Sequence, residues 1–427
     1  MDKVQKFFQK IFHSAELKKK LFFTLIIFFF ARLLAAVPLP MIDTLRLQSI
    51  FAGDEFLSLL NIIAGGTLAT FSLVAVGISP YITASIVMQL MTLIWPKLKE
   101  MQKDGPKGQA KLNQYTRLLA LPVAFAQSFS IVTILKTQQL LLNDSFKTVL
   151  ILVSFLTVGA FIMLWLGELI TAHGIGNGIS MILLLGILSQ IPTSVGQAQS
   201  LTQNNQWFLL IALVVGVVAV IAVVVFINQA IRKIPIHYAK RIQGNRQIGG
   251  QTTFFPLKLN SVGVMPIIFA VTLMSLPAFI GRALATINNP FWQKAGENIQ
   301  LLFAQNSWSY AIIYFVVVFV FSYFSALLFF NTKDISEELK KSGAFVPGVR
   351  PGQQTQQFFE KVLKRLTFVD GLFLGSIAVM PFALQMITGV GSLAIGGTSL
   401  LIAVSVILEV NKVVEGAAVS QNYDKYL

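Results

Sequence analysis

Ten apolar, nearly uncharged runs of 17 to 25 residues constrain the fold of this 427-residue chain more than any other feature. They lie at about 21–37, 71–95, 115–135, 148–170, 175–192, 207–229, 257–281, 308–331, 366–389 and 397–413. Crossing a hydrocarbon layer of roughly 30 Å takes about 20 apolar residues in a helix, because lipid offers no partner to a backbone N–H or C=O. With 55% hydrophobic residues, 12% charged residues and a mean hydropathy of +0.72, the chain reads as an integral membrane protein. The first run continues into PLPMID with no small-residue cleavage site, so no cleavable signal peptide is expected.

Lys and Arg set the expected orientation. The segments 1–20, 96–114, 230–258 and 332–365 and the C-terminal end carry 26 basic residues, and the alternate loops carry 5. Both termini are therefore expected on the cytoplasmic side. The net charge of +15 concentrates on that face, which suits anionic lipid, RNA or an acidic protein. Residues 1–20 read as an amphipathic interfacial helix, with Phe7, Phe8, Ile11 and Phe12 beside Lys3, Lys6 and Lys10.

Between the first two runs, EFLSLLNIIAGGTLATF (Glu55–Phe71) is apolar but too short to span. It reads as either a re-entrant segment or an external helix packed on the bundle. Pro80, Pro122, Pro266, Pro277 and Pro381 fall in apolar runs, and Gly174, Gly176 and Gly178 open the fifth. Interrupted helices of this kind accompany inverted repeats around a central path, and ten spans divide as five plus five.

Few groups at membrane depth could do chemistry. Arg32 is deep, whereas Glu168, Asp370 and Glu409 lie near span ends, where they are expected to snorkel or cap. No midplane carboxylate relay of an ion-coupled transporter is present. Cysteine is absent, which excludes disulfides and thiolate chemistry. His13, His173 and His237 are too dispersed for a metal site, GPKGQAK (105–111) lacks the spacing of a phosphate-binding loop, and no catalytic constellation stands out. Neither enzyme nor cofactor is expected.

Eight stretches, in order along the chain, resemble the SecY family: FARLLAAVPLPMID (30–43), NIIAGGTL (61–68), GISPYITASIVMQL (77–90), WLGELITAHGIGNGIS (165–180), HYAKRIQGNR (237–246), PLKLNSVGVMPIIFA (256–270), LKKSGAFVPGVRPGQQT (339–355) and GGTSLLI (396–402). The resemblance implies an all-α membrane protein with ten transmembrane helices in two pseudo-symmetric inverted halves around a central pore. The halves would be 21–192 and 193–413, with a short plug helix at about 55–67 and a cytoplasmic tail at 414–427. The implied function is a protein-conducting channel of the cytoplasmic membrane. It would pass unfolded preproteins outward and release apolar helices sideways. The competing class is a secondary transporter of a small solute.

The same resemblance assigns roles to residues. The plug would include Leu59, Leu60, Asn61, Ile62, Ile63, Gly65 and Gly66. The pore ring would be Ile82, Ile86, Leu183, Ile187, Ile268 and Ile402, with Leu183 where the family often has isoleucine. Both Ile82 with Ile86 and Leu183 with Ile187 are i,i+4 pairs on one helix face. An apolar constriction excludes ions by dewetting and contacts any passing chain without directional bonds. Asn260 and Gln127 would be polar positions of a lateral gate. Loops 230–258 and 332–365 would dock the ribosome, through rRNA contacts, or the SecA ATPase, through Arg350, Lys240, Arg241 and Arg246. SecE and SecG are the implied subunits, with preprotein signal peptides and anionic lipid as further partners. No cofactor is implied.

Overall fold

The computed structural model describes residues 15–42, 67–68, 70–143, 145–192, 207–238, 241–243, 246–248, 252–260, 263–285, 289–303, 307–388 and 397–424. The chain divides into two compact units, residues 1–205 with 406–427, and residues 206–405.

Helices of the first unit follow the apolar runs with informative departures. They are α1 (Ala15–Ala36), α2 (Ser79–Ile94), α3 (Pro96–Lys103), α4 (Pro106–Thr137), α5 (Phe146–His173) and α6 (Gly178–Leu188). α1 begins inside the segment assigned to an interfacial helix and continues without a break through the first apolar run. The second run is helical only from Ser79, with Pro80 in the first turn, where its missing N–H costs nothing. Residues 71–78 instead form turns packed on α5, so close that a Cβ on Gly159 would lie 1.8 Å from the Leu73 carbonyl oxygen. Phe71, Val132, Leu135, Leu152 and Leu156 fill the core beneath. α4 runs through Pro122, so this proline does not end its helix.

The second unit begins with α7 (Trp207–Gln229), whose limits coincide with the cleanest apolar run. Then come strands β1 (Ile231–Tyr238), β2 (Arg241–Gln243), β3 (Arg246–Ile248) and β4 (Thr252–Lys258), so the segment 230–258, expected as a loop, is largely strand. After them lie α8 (Met265–Ala285), α9 (Pro290–Leu302), α10 (Trp308–Phe329), α11 (Thr332–Lys341), β5 (Ala344–Phe345) and α12 (Gln353–Thr388). Pro266 sits in the first turn of α8, while α8 and α12 continue through Pro277 and Pro381. The last helix, α13 (Gly397–Asp424), extends past residue 413, and Val414 packs with Leu17 and Ile175. Most of the segment expected as a tail is therefore helix.

Among the described residues, three segments are long and apolar enough to cross a membrane, at Pro106–Lys136, Phe146–His173 and Trp308–Ala326. Shorter apolar helices occur at Ser79–Ile94, Gly178–Leu188, Val214–Gln229 and Met265–Met274.

Candidate functional site

The most built-up polar feature is a three-stranded antiparallel sheet of order β4-β1-β5 in the second unit. β1 pairs with β4 from Ile231↔Lys258 to His237↔Thr252, and β5 joins the other edge of β1 at His237↔Phe345 and Tyr238↔Ala344. The two loops expected to be docking elements are thus hydrogen-bonded into one body. Alternation explains why: Ile234 and Ile236 turn inward from β1, as Leu257 does from β4. Ile234 and Leu257 meet Val346, Phe359 and Val362 in a small core. The Phe255 ring stands edge-on to Phe359 at 5.5 Å.

This core carries Arg350. After β5, Val346 is buried, and the Val349 N–H donates to the Val346 carbonyl at 3.1 Å, closing a turn around Pro347 and Gly348. Ser336 Oγ donates to the Gly352 carbonyl at 2.7 Å, and Thr355 Oγ1 donates to the Arg350 carbonyl at 2.9 Å. Gly352 has φ +101, a backbone conformation that a side chain would strain. Hydrogen bonds to the main chain therefore fix the residue on both sides, while the Arg350 side chain stays exposed. Among the described residues its guanidinium has no ion-pair partner. A fixed, solvated guanidinium can fork onto a carboxylate or a phosphate.

Arg241 and Arg246 belong to the β2–β3 hairpin, paired as Arg241↔Ile248 and Gln243↔Arg246. Lys240 and the expected plug residues Leu59, Leu60, Asn61, Ile62, Ile63, Gly65 and Gly66 lie outside the described residues.

Within the first unit, α2 carries Ile82 and Ile86, and α6 carries Leu183 and Ile187. Ile86 is buried and the other three are half-buried. α6 starts on a side-chain cap: Asn177 Oδ1 accepts from Ile179 N at 3.0 Å and Ser180 N at 3.4 Å. In the second unit, Ile268 on α8 and Ile402 on α13 are also half-buried. All six stand on regular helix.

Each amide assigned to the gate has a partner inside its own unit. Gln127 Nε2 donates to Thr83 Oγ1 at 3.3 Å, linking α4 to α2. Asn260 is 5% exposed; its Nδ2 donates to Asn228 Oδ1 at 2.8 Å, and its Oδ1 accepts from Gly263 N at 2.7 Å. Asn228 Nδ2 in turn donates to Ser405 Oγ at 3.3 Å. Sequence reading missed Thr83, Asn228 and Ser405. The one available signal was Asn228 itself, which with Gln229 ends an otherwise apolar run.

Two acidic residues depart from expectation. Glu168 forms an ion pair with Arg117 at 2.5 Å, joining α5 to α4, rather than capping its own helix. Asp370 does not snorkel: it is 2% exposed on α12, and its Oδ1 has no hydrogen-bond partner among the described residues. α12 packs closely there on α10, with Phe319 and Ser322 against Gly371 next to it.

The SecY family model matches residues 72–411. The protein translocase subunit SecY of Corynebacterium glutamicum is 37% identical over 438 residues, covering 97% of this chain and 98% of its own length. That of Staphylococcus epidermidis is 39% identical over 430 residues, with the same coverage. Among solved structures, one of a protein-conducting channel superposes with a TM-score of 0.67 at 18% identity, covering 95% of this chain and 94% of its own. The channel of a canine ribosome–channel complex from the endoplasmic reticulum gives a TM-score of 0.63 at 16% identity, with the same coverage. At these identities the two structures speak for the fold alone.

Proposed function

This chain belongs to the SecY family, and from that premise we propose that it is the central subunit of a protein-conducting channel. It translocates unfolded preproteins across the cytoplasmic membrane and passes apolar helices sideways into lipid. It is a channel subunit rather than an enzyme. A motor, SecA or the ribosome, drives it from the face bearing the β4-β1-β5 sheet. SecE and SecG complete the complex.

The observation that carries this reading is the mounting of Arg350. A topology signal needs only positive charge, whereas this arginine is exposed on a turn tied down by Ser336, Gly352 and Thr355 over a packed core. Rigid presentation lowers the entropy lost when a partner docks. The 26-to-5 asymmetry of basic residues supports placing that face, and both termini, in the cytoplasm.

Inside the membrane, Ile82, Ile86, Leu183, Ile187, Ile268 and Ile402 form the constriction, and the segment 55–67 plugs it. Asn260 and Gln127 are gate positions whose amides exchange their present partners for a signal peptide's backbone at small cost.

The test is reconstitution with SecE, SecG and SecA in vesicles. A protease-protected preprotein supports the channel. Ion-coupled uptake of a small solute with no protected preprotein would replace it with a transporter.

A further inference from the structure

α1 touches the α5–α6 hairpin at two points that the channel reading leaves unused. Near the middle of α1, Thr24 is 4% exposed; its Oγ1 donates to the Lys20 carbonyl at 2.8 Å and accepts from Ile175 N at 3.3 Å. Eight residues on, about 12 Å along a helix, Arg32 Nη2 donates to the Leu185 carbonyl oxygen at 2.6 Å. Ile175 precedes α6 and Leu185 lies in its last turn, so α1 and α6 run in the same direction.

The two contacts differ in kind. The Thr24 end is already fixed: a Cβ on Gly178 would lie 1.7 Å from the Gly167 carbonyl oxygen, so α5 and α6 touch backbone to backbone there. Gly178 N also donates to Thr171 Oγ1 at 2.9 Å. At the far end, the last-turn carbonyls carry the negative end of the helix dipole. A guanidinium, which stays charged at membrane depth, makes a charge-assisted hydrogen bond to such an acceptor. Leu185 stands midway between Leu183 and Ile187.

We propose that Arg32 is a positioning residue: with Thr24 it clamps α6 against α1 and thereby sets the height and rotation of the face carrying Leu183 and Ile187. The consequence for sealing rests on the reading of those two side chains as part of the constriction. A passing chain that pushes on α6 works against this clamp, so α1 stiffens the ring although it contributes no side chain to it.

The chain has no cysteine, so cysteines introduced at Leu33 and Leu188, 48% and 42% exposed, are its only thiols. Spin labels there, in the full chain assembled with its partner subunits in lipid, report the α1–α6 distance. Arg32→Ala is expected to broaden that distance distribution and raise resting ion conductance about tenfold, the ratio corresponding to about 1.4 kcal/mol. Arg32→Lys, which keeps the charge but not the planar fork, restores both in part. Thr24→Val shifts the distance less than Arg32→Ala does. An unchanged distribution in an assembled Arg32→Ala complex overturns the clamp. A broadened distribution with unchanged conductance upholds the clamp and removes Leu183 and Ile187 from the constriction. If Arg32→Ala does not assemble, Arg32→Lys decides by the same two measurements.

Discussion

Ser336 and Gly352 are joined by a 2.7 Å hydrogen bond from the serine hydroxyl to the glycine carbonyl, which ties helix α11 to the turn presenting Arg350. Ser336 is itself buried, so losing the bond strands the geometry as well as the contact. Ser336→Ala should cost about 1 kcal/mol, and Gly352→Ala about 1–3 kcal/mol from its φ of +101. Both should slow SecA-driven transport while leaving the purified complex intact. Wild-type rates in both would detach the turn's rigidity from docking.

The Asn228–Asn260 bond of 2.8 Å holds the end of α7 to the segment entering α8. Asn260→Leu removes two hydrogen bonds, each worth about 0.6 kcal/mol in a membrane protein. Preproteins with weakened signal segments should then be admitted several-fold more readily. Unchanged signal selectivity in an assembled variant would leave Asn260 a packing residue only.

Gly178→Ala sets a methyl carbon against the Gly167 carbonyl group and the Ile170 Cβ, neither of them the far end of a flexible side chain that could yield. Overpacking of this kind costs about 1–3 kcal/mol, and this site belongs at the upper end. A lower unfolding temperature and poorer complex recovery are expected, whereas Ala at exposed, uncrowded Gly416 should be silent.

Ile86→Asn and Ile402→Asn each place an amide where the constriction is proposed to be dry. Single-channel recording should show a raised resting ion leak for both. A leak in neither would argue against the ring.

How much of this was legible beforehand follows from the physics each feature obeys. Long apolar runs report helices because lipid leaves the backbone no other solution, and α7 matches its run to the residue. The start of the second run misled because hydropathy does not distinguish a turn pressed onto Gly159 from a helix. The sheet is poorly marked in the sequence: Ile234 and Ile236 are separated by Pro235, and Phe255 and Leu257 by Pro256, and a proline inside a run argues against a strand. The burial of Asp370 was not readable, since it follows from how closely α10 packs on α12. Arg350 lies between Pro347 and Pro351, and prolines that limit the backbone on both sides are visible in the sequence; that β5 and Ser336 do the holding is not.

The most direct test of the central claim is SecA-driven translocation by reconstituted Arg350→Glu beside wild type. Its side chain is exposed and carries no packing, so the variant should assemble normally. The account predicts that protease-protected preprotein falls to background in the variant and persists in wild type. Equal protection in the two would contradict docking at Arg350 and the reading built upon it.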